Sequence, residues 1–180
     1  MVRSTSKKAA CLLEQAYKRP NNKKEKGADA THAIGGERMN LGHRVLVAAQ
    51  PLAWRALQTM LAEVVDLVPA HTTTDAFKIL ERERVDLIVS TIAFDDSRML
   101  DFLQAVKQAT PTSGIPFLCS RVLASVIRDN LVTAMADACK ECGACDFVDI
   151  ARLPPDIAQD VLRSAVEGCL RQSPSAPQAS

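Results

Sequence analysis

The sequence has 180 residues, enough for one domain of ordinary size plus tails, and 47% of them are hydrophobic against only 4% aromatic, so the core must be aliphatic. No apolar run is long enough to span a bilayer and none near the N-terminus has the form of a signal peptide, which points to a cytoplasmic protein. The net charge of +1 divides unevenly: residues 1–40 hold nine basic and four acidic residues, and the remaining thirteen and seventeen make the rest mildly acidic.

Residues 1–41 carry the basic stretch Lys-Arg-Pro-Asn-Asn-Lys-Lys-Glu-Lys at 18–26 without sustained periodicity. They read as a disordered, solvated tail. Tyr17 is its one aromatic, so contact with nucleic acid is expected to be weak at most, through phosphates. The domain is expected over 42–172, and 173–180, with two prolines, as a frayed end.

Within the domain, Val45-Leu46-Val47-Ala48-Ala49 reads as a buried strand closed by Gln50-Pro51, and Leu57, Leu61 and Val64 as the stripe of a helix. A second strand is expected at 65–69. Thr73 or Thr74 is placed to cap the next helix, whose apolar side is Ala76, Phe77, Ile79 and Leu80. Residues 85–96 form the centre of the chain: Leu87, Ile88 and Val89 are a branched run bounded by charge, the pattern of a strand buried on both faces. A third helix runs through Met99, Phe102, Leu103 and Val106, and a fourth strand covers 115–119. A long helix is expected over 122–142, stopped by Gly143, then a short strand at 146–150 and a last helix opened by Pro154 and Pro155. Five strands alternating with five helices imply an α/β fold: a flavodoxin-like, doubly wound, five-stranded parallel sheet in the order 2-1-3-4-5, with helices on both faces.

Three segments carry a family resemblance: Arg44-Val-Leu-Val-Ala-Ala-Gln-Pro-Leu52, Val85-Asp-Leu-Ile-Val-Ser-Thr-Ile92 and Gly143-Ala-Cys-Asp-Phe-Val148. The domain resembles the CheY-like receiver of two-component response regulators. Such receivers place an acidic pair after strand one and a phosphate-accepting Asp after strand three. A Ser/Thr follows strand four, and a Lys ends strand five. The acids hold a Mg²⁺ that neutralises the incoming phosphoryl group. Here the acidic pair falls on Ala48 and Ala49, the acceptor on Thr91 and the lysine on Ile150. The hydroxyl falls on Ser120, with Arg121 competing for the place. Gln50, Asp95 and Asp96 carry oxygens nearby, the two acids in the loop beyond the strand. Thr91 reads as a hydroxyl bonded to backbone in a filled pocket. The resemblance therefore implies a degenerate, non-catalytic pseudo-receiver, independent of phosphorylation. It would act by binding a protein partner, or a second copy, through helix four, strand five and helix five. Met135, Lys140, Glu141 and Phe147 lie on or beside that surface.

Six cysteines (11, 119, 139, 142, 145 and 169) read as free thiols or metal ligands in a reducing compartment. Cys139-Lys-Glu-Cys142-Gly-Ala-Cys145 has metal-ligand spacing, and its Cys-Gly-Ala-Cys core is similar to the cluster loop of bacterial-type ferredoxins. The fold brings Cys169 towards these three, while Cys119 is expected on the opposite rim. Two readings stay open: no cofactor, with thiols that only pack, or a zinc, iron–sulfur or redox site in a sensor on the same scaffold. No glycine-rich phosphate loop, catalytic triad or carboxylate dyad is visible, so no enzyme is expected.

Overall fold

Residues 42–124 and 127–172 are described by the structure, a computed structural model. The tails expected at 1–41 and 173–180, and Cys11 with them, lie outside the described residues. The strands are β1 (Arg44–Ala48), β2 (Asp66–Ala70), β3 (Leu87–Thr91), β4 (Phe117–Arg121) and β5 (Asp146–Asp149). They form one sheet in the order β2-β1-β3-β4-β5, every neighbouring pair parallel. All five residues of β3 are buried, as the unbroken branched run requires at the centre of a sheet covered on both sides.

The helices are α1 (Pro51–Leu61), α2 (Thr73–Arg82), α3 (Met99–Gln108), α4 (Val132–Glu141) and α5 (Pro155–Gln172). Pro51 opens α1 where its missing N–H costs nothing, and Ala53, Leu57 and Leu61 bury one side of it. On α5 the buried stripe is Ala158, Leu162, Val166 and Cys169. These two helices cover one face of the sheet, meeting Val45, Val47, Leu87, Val89 and Leu118. The other face, with Leu46, Ile88 and Phe117, is covered by α2, α3 and α4 through Ala76, Met99, Phe102, Leu103, Val106 and Cys139. Phe102 anchors that second core, its ring 5.5, 5.2 and 5.6 Å from those of Phe77, Phe94 and Phe117. Edge and tilted packings of this kind add to the burial of the rings.

Several boundaries differ from the sequence reading, three of them near the rim and its helices. The cap of α2 is Thr72, whose hydroxyl accepts from the Asp75 N–H, one residue before Thr73 and two before Thr74. β4 ends at Arg121, two residues beyond the expected stop. The long helix expected from 122 begins only at Val132, after a loop and a single 3₁₀ turn at Asp129–Leu131. The carbonyls of Ala124 and Ile127, which a helix would use internally, accept instead from the Arg121 guanidinium at 2.9 and 3.2 Å.

Candidate functional site

In an open parallel sheet chemistry gathers at the carboxyl ends of the central strands. Here β1, β3 and β4 deliver Ala48, Ala49, Thr91, Ser120 and Arg121 to that rim, and Ile150 follows β5. Thr91 and Ser120 are register partners, and strand alternation turns both towards the α1/α5 face. Ala48 and Ala49 are fully buried and Ile150 nearly so, which makes the rim apolar where β1 and β5 end. The Ser120 hydroxyl donates to the Ser90 carbonyl at 3.3 Å. Thr91 was expected to bond to backbone, but its Oγ1 is buried with no hydrogen-bond partner among the described residues. His71 closes over the rim, its Nδ1 2.7 Å from the Ala49 carbonyl oxygen.

The loop after β3 is held by its own acid. Asp95, Asp96 and Ser97 all have positive φ, at 46°, 57° and 67°. Left-handed backbone is unfavourable outside glycine, though Asp tolerates it through local hydrogen bonds. The Asp95 carboxylate accepts from the Thr73 hydroxyl at 2.6 Å and the Thr73 N–H at 3.1 Å, tying the loop to the N-terminus of α2. Those two donors, the hydroxyl foremost, hold the Asp95 carboxyl below the usual carboxylate range. Asp95 thereby ties the loop to α2 through one of its two carboxylate oxygens.

Arg121 dominates the β4 end of the rim. It is 1% exposed, and its Nη1 meets Asp149 Oδ2 at 3.0 Å while its Nη2 meets Asp129 Oδ1 at 3.0 Å. Asp149 is its register partner on β5, and Asp129 opens the 3₁₀ turn and also pairs with Arg152. One planar guanidinium thus joins β4, β5 and the β4–α4 connection. This cluster was missed from sequence, where Arg121 figured only as a rival to Ser120. An arginine closing an otherwise apolar strand, opposite an aspartate, was the available signal.

On the flank of the sheet, Lys140 and Glu141 are exposed at the end of α4, and Met135 is half-buried against the α2–α4 core. Phe147 on β5 is also half-buried against that core. Between the β5 edge and α5 lies a groove of about 760 Å³, whose lining includes Phe147, Asp149, Asp160, Ser164, Cys145 and Cys169. Leu153, Ile157 and Val161 stand exposed along the α5 side.

The sheet keeps the expected thiol cluster apart. Cys145 and Cys169 form a disulfide on the α1/α5 side, with Cα atoms 6.0 Å apart. Cys139 is buried on the opposite face, in the same core as Cys119, contrary to the remote position expected for Cys119. A hydrogen bond with Cys139, and burial, push the Cys119 thiol well above its ordinary range. Cys142 is partly exposed, its sulfur accepting from Gln104 Nε2 at 3.4 Å. The proposed ligand set of Cys139, Cys142, Cys145 and Cys169 therefore does not converge, and no three such side chains meet as metal ligands among the described residues. Cys139 lies on α4 and Cys145 beyond the turn at Gly143 that ends it, so spacing along the chain does not reveal which core each joins.

No protein-family model matches the sequence, and a comparison with curated proteins finds no match. Solved structures do match. A phosphorylated cyanobacterial phytochrome response regulator, RcpA, is 14% identical with a TM-score of 0.58 over 76% of this chain and 99% of its own. A signal receiver domain of a histidine kinase from Syntrophus aciditrophicus is 19% identical, with a TM-score of 0.54 over 77% and 99%. The chemotaxis response regulator CheY4 of Vibrio cholerae is 16% identical, with a TM-score of 0.51 over 69% and 98%. This chain has the receiver fold.

Measured as a receiver, the rim does not fit the metal that such domains use. Ala48 and Ala49 bring no oxygen ligand, Thr91 brings a neutral hydroxyl, and Asp95 is engaged with Thr73. A hard divalent cation needs several oxygen ligands, commonly with one or two carboxylates among them. Nor does Ile150 offer a receiver's lysine; the strongest cation beside the rim, Arg121, is already shared between two carboxylates and two carbonyls.

Proposed function

We propose that this chain is a receiver-fold signalling module, not an enzyme, that works without phosphorylation by protein–protein contact through α4, β5 and α5. The observation that carries this reading is Arg121, pinned at the end of β4 by Asp149 and Asp129. In a working receiver that corner must respond to a phosphoryl group; here it is cross-tied by charge to β5 and to the turn that leads into α4. The apolar rim at Ala48, Ala49 and Ile150 supports the same reading, since a phosphoryl group there would meet no metal and no free cation. Phe147, Met135, Lys140 and Glu141 supply a half-buried apolar centre with a charged border, the composition of a protein interface. The occupant is a protein partner or a second copy. The setting is cytoplasmic, the basic N-terminal residues contribute at most weak phosphate contacts, and the module uses no cofactor.

The test is paired. Incubation with acetyl phosphate and Mg²⁺ should add no phosphoryl group by intact mass. Phe147→Ala or Lys140→Glu should weaken association, by sedimentation of the chain alone or by pull-down of its partner, by about tenfold. Thr91→Val should leave association unchanged. A hydroxylamine-labile phosphoryl adduct, or association lost at Thr91 and kept at Phe147 and Lys140, overturns the proposal.

A further inference from the structure

Cys145 and Cys169 stand apart from the other described cysteines. Cys145 begins the β4–β5 ladder, its N–H donating to the Phe117 carbonyl at 2.9 Å. Cys169 lies in the last turn of α5 and closes that helix's buried stripe. Their bond spans a sequence separation of 24 and staples the end of α5 to the start of the edge strand. Both residues line the groove that also holds Phe147. The other described cysteines are reduced thiols: Cys119 and Cys139 are enclosed in the opposite core, and Cys142 is free at the end of α4.

We infer that the Cys145–Cys169 pair is a reversible thiol–disulfide site that sets how firmly the C-terminal turns of α5 are held against β5. The co-reactant is a small thiol or dithiol of the glutathione class. Its thiolate attacks the sulfur of Cys145, the more exposed residue of the pair, and Cys169, 2% exposed, departs as the thiolate and takes up a proton. A second thiol resolves the mixed disulfide. The balance is one protein disulfide plus two thiols giving two protein thiols plus one external disulfide. In a reducing compartment most protein thiols stay reduced, so closure of this bond reports a rise in oxidant. Reduction leaves the C-terminal half of α5 attached by the packing of Leu162, Val166 and Leu170 and by Arg163, which donates to the Met60 carbonyl at 2.9 Å, and the groove loses its covalent end wall. The inference stands on the bond and its place in the groove, and holds or fails independently of what the surface binds.

The test uses the full chain. After oxidation, alkylation and digestion, the peptides bearing Cys145 and Cys169 should be linked to each other, with Cys119, Cys139 and Cys142 recovered as alkylated thiols. Dithiothreitol should add two alkylation sites, and oxidised glutathione should remove them again. Amide exchange across residues 165–172 should quicken by about tenfold on reduction, with β1 and β3 unchanged. Cys145→Ser should show that fast exchange with or without dithiothreitol; reduction of the unaltered chain gives the same readout should the variant fold poorly. Free thiols at 145 and 169 after oxidation, a bond from either to another cysteine, or exchange that ignores the bond overturns the inference.

Discussion

Arg121 is the largest fully buried side chain in the described domain, and its position is electrostatically expensive. Removing a guanidinium from water costs several kcal/mol, recovered only when its donors are met. Here two carboxylates and two carbonyls meet four of its contacts, while its Nε is buried without a partner. Arg121→Met should cost about 2–4 kcal/mol in urea denaturation, with Asp129 and Asp149, both partly exposed, recovering some hydration. Arg121→Lys should restore little, because a point charge cannot span both carboxylates. A double-mutant cycle with Asp149→Asn should return a coupling of about 1–3 kcal/mol, and additive losses would show that the pair is incidental. This corner was the least legible part of the site. That no carboxylate or lysine stands at Ala48, Ala49, Thr91 and Ile150 could be read from identities alone. The substitute at Arg121 depends on Asp149 lying opposite it and on Asp129 folding back, both of which are tertiary facts.

Among the elements, the strands and the first three helices were legible because burial imposes a period on them. β3 shows it as an unbroken apolar run, and α3 as Met99, Phe102, Leu103 and Val106. The start of α4 was not, since residues 122–131 carry enough Val, Leu and Ile in sequence to continue a helical stripe, while the Arg121 guanidinium takes the carbonyls of Ala124 and Ile127. The left-handed loop at 95–97 was equally hidden, with no glycine to mark it. Its tie to α2 gives a pH signature. Bonding to Thr73 lowers the Asp95 carboxyl from its ordinary 3.8, so its contribution is complete above that value and disappears as pH falls through the lowered one. Asp95→Ala should therefore lower the urea midpoint at pH 7 and make the further loss on acidification smaller than in the parent. An unchanged acid limb would place that titration on other carboxylates.

At the scale of the whole domain, the sheet divides the interior into two cores with separate chemistry. One carries the disulfide beneath α1 and α5, the other the reduced Cys119 and Cys139 beneath α2, α3 and α4. The thiols were visible in sequence as a spacing, but which core each would join depended on how α4, the turn at Gly143 and α5 pack, and so the pairing was not. The same sheet has two open borders, β2 and β5, and backbone amides along such borders recruit further strands from other molecules. Pro69 sits inside β2, paired with Val47, and offers no N–H to an incoming chain. β5 is only four residues long and has an aspartate at each end, so its border is short and charged. Pro69→Val should leave the monomer folded yet raise light scattering on prolonged incubation above that of the parent chain, while equal scattering would assign the protection to β5 or the helices. A residue that contributes nothing to the pocket or the contact surface thus acts against fibrillar assembly, keeping an aliphatic sheet from growing beyond its own five strands.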